Sequence, residues 1–253
     1  MAIPFDHAVA EDFIRALDTA ASELRSQGRG RDQAAESALV DFNGGYARTF
    51  TSLVLIESDE RILLAGVLEE LSAAVRKNMI DARTEQQRRE DLEAWRERER
   101  LRNASLVTVS GSVTVAPYDP QPSTVPLRPQ PLRAVFMPRP RSRTPRDGGD
   151  GQGVTSADPA RLEGFARRST RLNNQLEKQK DLVARSYGDF TDACAWVPQE
   201  SVTFIGGWGR LIEYNRKDGD LIETIANAFR HVGTGTLPTS YLDQAITEES
   251  SVQ

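Results

Sequence analysis

Cys194, His7 and His231 are the side chains of this sequence best suited to nucleophilic or metal chemistry, and their placement leaves them little to work with. Chelation needs several ligands brought together, and a nucleophile needs a base within hydrogen-bond reach. His7 and His231 lie near opposite ends of the chain, and Cys194, in Asp192-Ala193-Cys194-Ala195-Trp196, has no histidine beside it. A thiol so placed reads as a small buried apolar group. Gly206-Gly207-Trp208-Gly209 lacks the lysine–serine pair and the preceding strand of a phosphate loop. The many carboxylates fall on expected helix surfaces. The sequence therefore implies no catalytic residue, no metal and no cofactor, and reads as non-enzymatic. One pair is spaced for recognition instead: Tyr214 and Asp218, four residues apart, put a phenol and a carboxylate on one helix face. The plainer alternative is a partly buried tyrosine and a helix-capping aspartate.

Two glycine–aromatic motifs stand out beside that pair. Phe42-Asn43-Gly44-Gly45-Tyr46 and Gly206-Gly207-Trp208-Gly209 each interrupt a helical pattern, at points where a helix can turn or pack unusually close. Phe42, Gly44, Gly45, Tyr46, Trp208 and Gly209 join Tyr214 and Asp218 as the candidate binding residues.

The elements that must position them are helices. Phe13, Leu17 and Leu24 recur at helical spacing, with Pro4 and Asp6 suiting a start and Gly28 and Gly30 an end. A second helix is expected from near Asp32, with Ala35, Leu39, Phe42, Tyr46, Phe50 and Leu53 on one face. Ser58-Asp59-Glu60-Arg61 looks like a fresh N-terminus for a helix bearing Ile62, Leu64, Leu68, Leu71, Val75 and Met79. Its far end, residues 84–102, is almost wholly charged, which fits a solvated extension better than a coiled-coil face. Residues 106–115 alternate β-branched side chains, as a short ribbon would. Nine of the thirteen prolines fall between 117 and 145, followed by arginines and glycines, so 104–156 reads as a Pro/Arg/Gly-rich linker. Beyond it, Asp158 and Pro159 open a long helix through Phe190. Glu200 to Tyr214 is expected to be helical, Asp218 or Asp220 to cap another helix, and Pro238 to start a last one.

The predicted fold class is all-α. It has two antiparallel helical hairpins, 1–103 and 157–253, joined by the linker, and the halves are able to pack on each other. At 253 residues and a net charge of -5 the chain has no basic excess for general nucleic-acid binding, and one cysteine excludes an internal disulfide framework. Charged residues interrupt the best apolar stretch, 53–71, so no transmembrane segment is expected. Residues 1–12 carry neither a basic nor an apolar leader region, so synthesis in the cytoplasm without a cleaved signal is expected.

The paired glycine–aromatic motifs on matching helices resemble the WXG-motif superfamily of type VII (ESX) secretion substrates, which are helical hairpins with a Trp-x-Gly-like bend. Phe42-Asn43-Gly44 and Trp208-Gly209 stand where a strict Trp-x-Gly would. Asp41 to Phe50, Glu85-Gln86-Gln87-Arg88-Arg89, Ala157 to Leu162, Phe190 to Trp196 and Ile222 to Phe229 are similar to the N-terminal trafficking regions of actinobacterial polymorphic toxins. Tyr214-Asn215-Arg216-Lys217-Asp218 has the Tyr-x-x-x-Asp form of a type VII export signal. The resemblance implies secretion by that route and partners in the type VII machinery, a cognate helical protein or a toxin domain. Whether the chain is part of a toxin or its stand-alone partner stays open, as does the number of subunits. The alternative is a cytosolic helical adaptor or phage-encoded structural protein that is not exported. A deep cleft lined by converging ionisable groups would count against the delivery-module reading.

Overall fold

Asp6 accepts hydrogen bonds from the Ala8 and Val9 amides and so opens α1 (His7–Leu39). A tight turn at residues 40–44 leads into α2 (Gly45–Leu106), a single rod of 62 residues, about 93 Å at 1.5 Å per residue. Asp158 caps α3 (Pro159–Ala193), with Pro159 in its first turn. α4 (Phe204–Val232) ends on Gly233 in the left-handed conformation, and α5 (Thr239–Ser250) follows. Four three- or four-residue strands complete the order: β1 (Leu132–Ala134), β2 (Val154–Ser156), β3 (Gln199–Val202) and β4 (Thr236–Pro238). The computed structural model describes residues 2–106, 119–145 and 153–250, and among these the fold is mainly all-α. The ribbon expected at 106–115 lies outside the described residues, save Leu106, which ends α2.

α1 and α2 form one antiparallel hairpin and α3 and α4 a second, and α1 packs along α3 to join them. Two apolar cores result, each drawn from both hairpins. One holds Phe13, Leu17 and Leu68 with Leu176, Phe190 and Trp208. The other holds Phe42 and Phe50 with Leu162, Ile222 and Phe229. The 1–103 and 157–253 segments thus share their interiors, because a stripe on a lone hairpin stays in water until the other hairpin covers it.

Among the four long helices, α2 and α4 touch far less than the other adjoining pairs. The linker occupies that seam. Trp95 Nε1 donates to the Asp119 carbonyl at 3.2 Å, Arg88 to the Ser123 carbonyl at 3.0 Å, and Glu85 accepts from the Leu127 amide at 2.9 Å. The Asn78 amide pairs with both backbone groups of Gln130 at 2.9 Å, and Thr49 donates to the Thr144 carbonyl at 2.9 Å. Strap position falls from 144 to 119 as helix position rises from 49 to 95, so the strap runs antiparallel to α2. The reading of this segment as a free linker is corrected accordingly. Its prolines hold it extended at about 3.1 Å per residue, roughly twice the helical rise, so it keeps pace with the rod. From Pro131 to Pro138 alternate residues are buried, and β1 pairs in parallel with β3.

The glycines serve this strap. Gly207 lies in the first turn of α4, and a β-carbon there would sit 2.0 Å from the Phe136 carbonyl oxygen. Gly44, at φ 99°, faces the Val154 carbonyl at 2.4 Å in the same sense. The first motif is therefore the interhelical turn, and it divides the helix expected from near Asp32 through Leu53, whose first part belongs to α1 and last part to α2. The second is no bend: α4 runs unbroken through Gly206, Gly207 and Gly209, and also through Asp218 and Asp220, which cap nothing. Residues 200–202, expected to be helical, belong to β3 instead. Gly28 and Gly30 do not end α1, since the space they leave admits the guanidinium groups of Arg61 and Arg168. Nor does a helix restart at Ser58, which lies inside α2.

Gly207→Ala is expected to lower stability by about 1–3 kcal/mol through overpacking against the strap. Gly206→Ala and Gly209→Ala, which would meet nothing within 4 Å, should be neutral or gain up to about 1 kcal/mol of helix propensity. Denaturant midpoints of the three variants check this. Glu85 gives a pH dependence. Hydrogen bonds from Arg88, then Arg89 and the Leu127 amide, outweigh burial and hold its carboxyl at about 2 against an ordinary 4.5. A depressed carboxyl stabilises the fold fully above pH 4.5 and loses that contribution as pH falls toward 2. Glu85→Gln should be less stable than the parent at neutral pH, with the difference closing over that interval in acid titrations followed by circular dichroism.

Candidate functional site

The stripe positions of all four long helices turn polar at one level. On α2 the sequence of inward positions runs Leu53, Glu57, Glu60, Leu64, Leu68, so two carboxylates replace leucines in the middle of the stripe. α1 supplies Arg31, α3 Asn173, and α4 Asn215 and Asp218, all buried. The strap inserts Arg141 between them. Its Nη2 donates to Glu60 at 2.6 Å, and its Nη1 donates to Asn215 at 2.9 Å and to Asp218. Arg143 Nη2 sits 2.7 Å from Asp218 Oδ1 and donates to the Tyr214 carbonyl at 3.1 Å. The backbone amide of Arg139 closes on Glu60 Oε1 at 2.5 Å.

Beside this lies a second set. Glu57 Oε1 stands 3.3 Å from Arg31 Nε and 3.4 Å from Arg61 Nε. Arg31 donates to Asn173 at 2.9 Å, Arg61 to the Leu24 carbonyl at 2.7 Å, and Asn215 to Asn173 at 3.3 Å. The two sets form one layer, in which four guanidinium groups face three carboxylates between the two apolar cores. Burial pushes the Asp218 carboxyl above its ordinary range against the pull of Arg141 and Arg143. It likewise lowers Arg31, with Glu57 opposing. A cavity of about 30 Å³ adjoins the layer, walled by Phe50, Leu53, Phe165 and Leu172 on its apolar side. That volume accommodates a water molecule or two and no organic substrate. Ionisable groups do converge, then, but in a layer of mutually paired side chains between the helices. The arrangement holds the helices in register.

Each sequence candidate has a definite place. Trp208 is 0% exposed in the first core, its indole N–H without an acceptor among the described residues, and Gly209 follows it on the open side of α4. Phe42 and Tyr46 are buried at the second core, where Phe42 packs on Phe50 at 5.8 Å between ring centroids. The Tyr46 hydroxyl donates to Asp243 of α5 at 2.5 Å, and burial, then that bond, raises its pKa. Gly44 and Gly45 form the turn and the first residue of α2. Tyr214 lies half-buried beneath the Arg141 guanidinium, 5.6 Å from its ring, and Asp218 is engaged with two arginines. The eight residues form no common site. Tyr214 and Asp218 do share one neighbourhood, but as part of the polar layer rather than as a free recognition pair. Cys194 is buried, and its Sγ lies 3.4 Å from the Asp6 carbonyl.

The layer itself escaped the reading of motifs. Its signal was present: Glu57, Glu60 and Arg61 break an otherwise apolar stretch at stripe positions, where a solvated charge has no place. Arg141 gave no such signal, since nothing local marks one arginine of several as buried. Comparison with protein-family models, with curated proteins and with solved structures returns no match.

Arg141→Ala would strand Glu60 and Asp218 without their shared cation, and a stability loss of about 3–5 kcal/mol is expected. The strap should loosen first. Hydrogen exchange of residues 132–144 should accelerate well before that of α1 and α3, whereas uniform acceleration would contradict an anchoring role for this arginine.

Proposed function

We propose that this chain is a non-enzymatic helical docking module that travels with a type VII secretion system, as a trafficking segment or partner of a secreted toxin. The observation that carries the docking part is the sharing of both cores between the two hairpins. Rods that spend their inward stripes on each other keep their outer faces for partners and leave little interior for chemistry. Two hairpins packed within one chain also parallel the paired hairpins that the WXG-like substrates form between chains. The type VII assignment rests on the motifs that resemble that superfamily. Its partners would be the secretion machinery and a cognate helical protein or toxin domain. Among the described residues no helix is long and apolar enough to cross a membrane.

A second reading, a cytosolic helical adaptor or phage structural component, is favoured by one observation: Asp218 of the Tyr-x-x-x-Asp pattern is held by Arg141 and Arg143. A receptor would have to break those pairs to read it. Culture fractionation in a host with and without its type VII ATPase separates the two. The export reading expects the protein outside only when the ATPase is present, and Tyr214→Ala to reduce that fraction. Equal retention in both strains would favour the adaptor.

A further inference from the structure

The middle of α2 is apolar on both sides. Leu53, Leu64, Leu68 and Leu71 face inward, while Leu55, Leu63 and Ile80 on the outer side are each at least 60% exposed, and Ile62 lies between them at 49%. The strap adds Val135 and Met137, the latter 71% exposed, so that with Ile62, Leu63 and Val67 they line one open groove. A helix hydrophobic all round is ordinarily covered all round, and a contiguous apolar patch of this kind marks an interaction surface.

The order of residues along the exposed stripe says what covers it. At helical spacing it runs Leu55, Asp59, Ile62, Gly66, Glu70, Ala73, Lys77, Ile80. Laid antiparallel against itself and centred on residue 68, the stripe brings Asp59 to Lys77, Leu55 to the neighbourhood of Ile80, and Ile62 and Leu63 to Ala73 and Ala74. Large side chains meet small ones, and opposite charges meet twice. Gly66, with nothing within 4 Å of the place a β-carbon would take, faces Glu70 and makes room for it. Near the axis, Glu69 is already neutralised by Arg25, which grips it through two contacts of 2.7 Å. Lys77 is exposed and makes no ion pair among the described residues. Among the described residues Asp59 pairs with the exposed Arg139 at 3.3 Å, a surface pair worth little.

We infer that the occupant is a second copy of this chain, docked through α2 in an isologous antiparallel dimer. The stripe from 55 to 80 is about 38 Å long, and a single helix crossing with flanking strap contacts falls at the low end of specific interfaces. Association is accordingly concentration-dependent. This holds whether or not the chain is exported.

Sedimentation velocity over the micromolar range tests it. The parent protein should pass from monomer to dimer, and Leu63→Arg, at an exposed position that leaves both cores intact, should weaken association more than about tenfold. Asp59→Lys places lysine against lysine and Lys77→Asp aspartate against aspartate, so each variant alone should be mainly monomeric. Mixed in equal amounts they restore both opposite-charge contacts and should dimerise again. A parent that remains monomeric throughout overturns the inference and leaves the face to a different protein. So does a dimer indifferent to Leu63→Arg, or a mixture that fails to associate where the parent does.

Discussion

One layer of buried charge fixes how the four long helices meet. Apolar stripes alone would let two hairpins slide by a turn and rebury themselves at small cost, since leucine matches leucine almost anywhere along a stripe. Arg31, Glu57, Glu60, Asn173, Asn215 and Asp218 remove that freedom, because a slip of one turn would set charges against leucines. The layer is costly to desolvate and adds little net stability over well-packed apolar side chains. What it supplies is a single register. It also explains why the interior holds two cores and not one.

Arg141 ties the strap to that register. The strap's other fixings along α2, such as the Asn78 amide on Gln130 and Thr49 on Thr144, each engage that helix alone. Arg141 reaches the centre and contacts α2 and α4 at once, across the seam where those helices barely meet. The strap therefore acts as a fifth wall of the bundle. The glycine motifs make sense in the same terms. Gly207 lets the strap cross the start of α4, and Gly44 lets β2 approach the turn between α1 and α2.

The fold class was legible because stripes of Phe, Leu and Ile at three- and four-residue spacing leave no alternative to helices, and Asp6, Asp158 and Pro159 mark real starts. Helix ends within the chain were less so. Gly28 and Gly30 look like stops when only propensity is weighed, since the packing that retains them is invisible in one dimension. Gly207 carried a true message, close approach, whose partner sits 71 residues away at Phe136. The pairing of Tyr214 with Asp218 was visible as spacing, but its occupation by Arg141 and Arg143 depends on a strap whose course no local pattern records. Proline content showed that the strap is extended. It did not show that the strap is bound.

The matched pacing of strap and rod carries an evolutionary consequence. Helix advances at about half the rise of extended chain, so one residue of strap accompanies about two of α2. A single deletion between Leu132 and Phe136 would also put those two side chains on opposite faces, because strand faces alternate. Length changes in the two segments are thus coupled. Descendants of this chain can lengthen the rod only by compensating insertions in the strap, in a ratio near two to one, which makes the strap a gauge for the helix it accompanies.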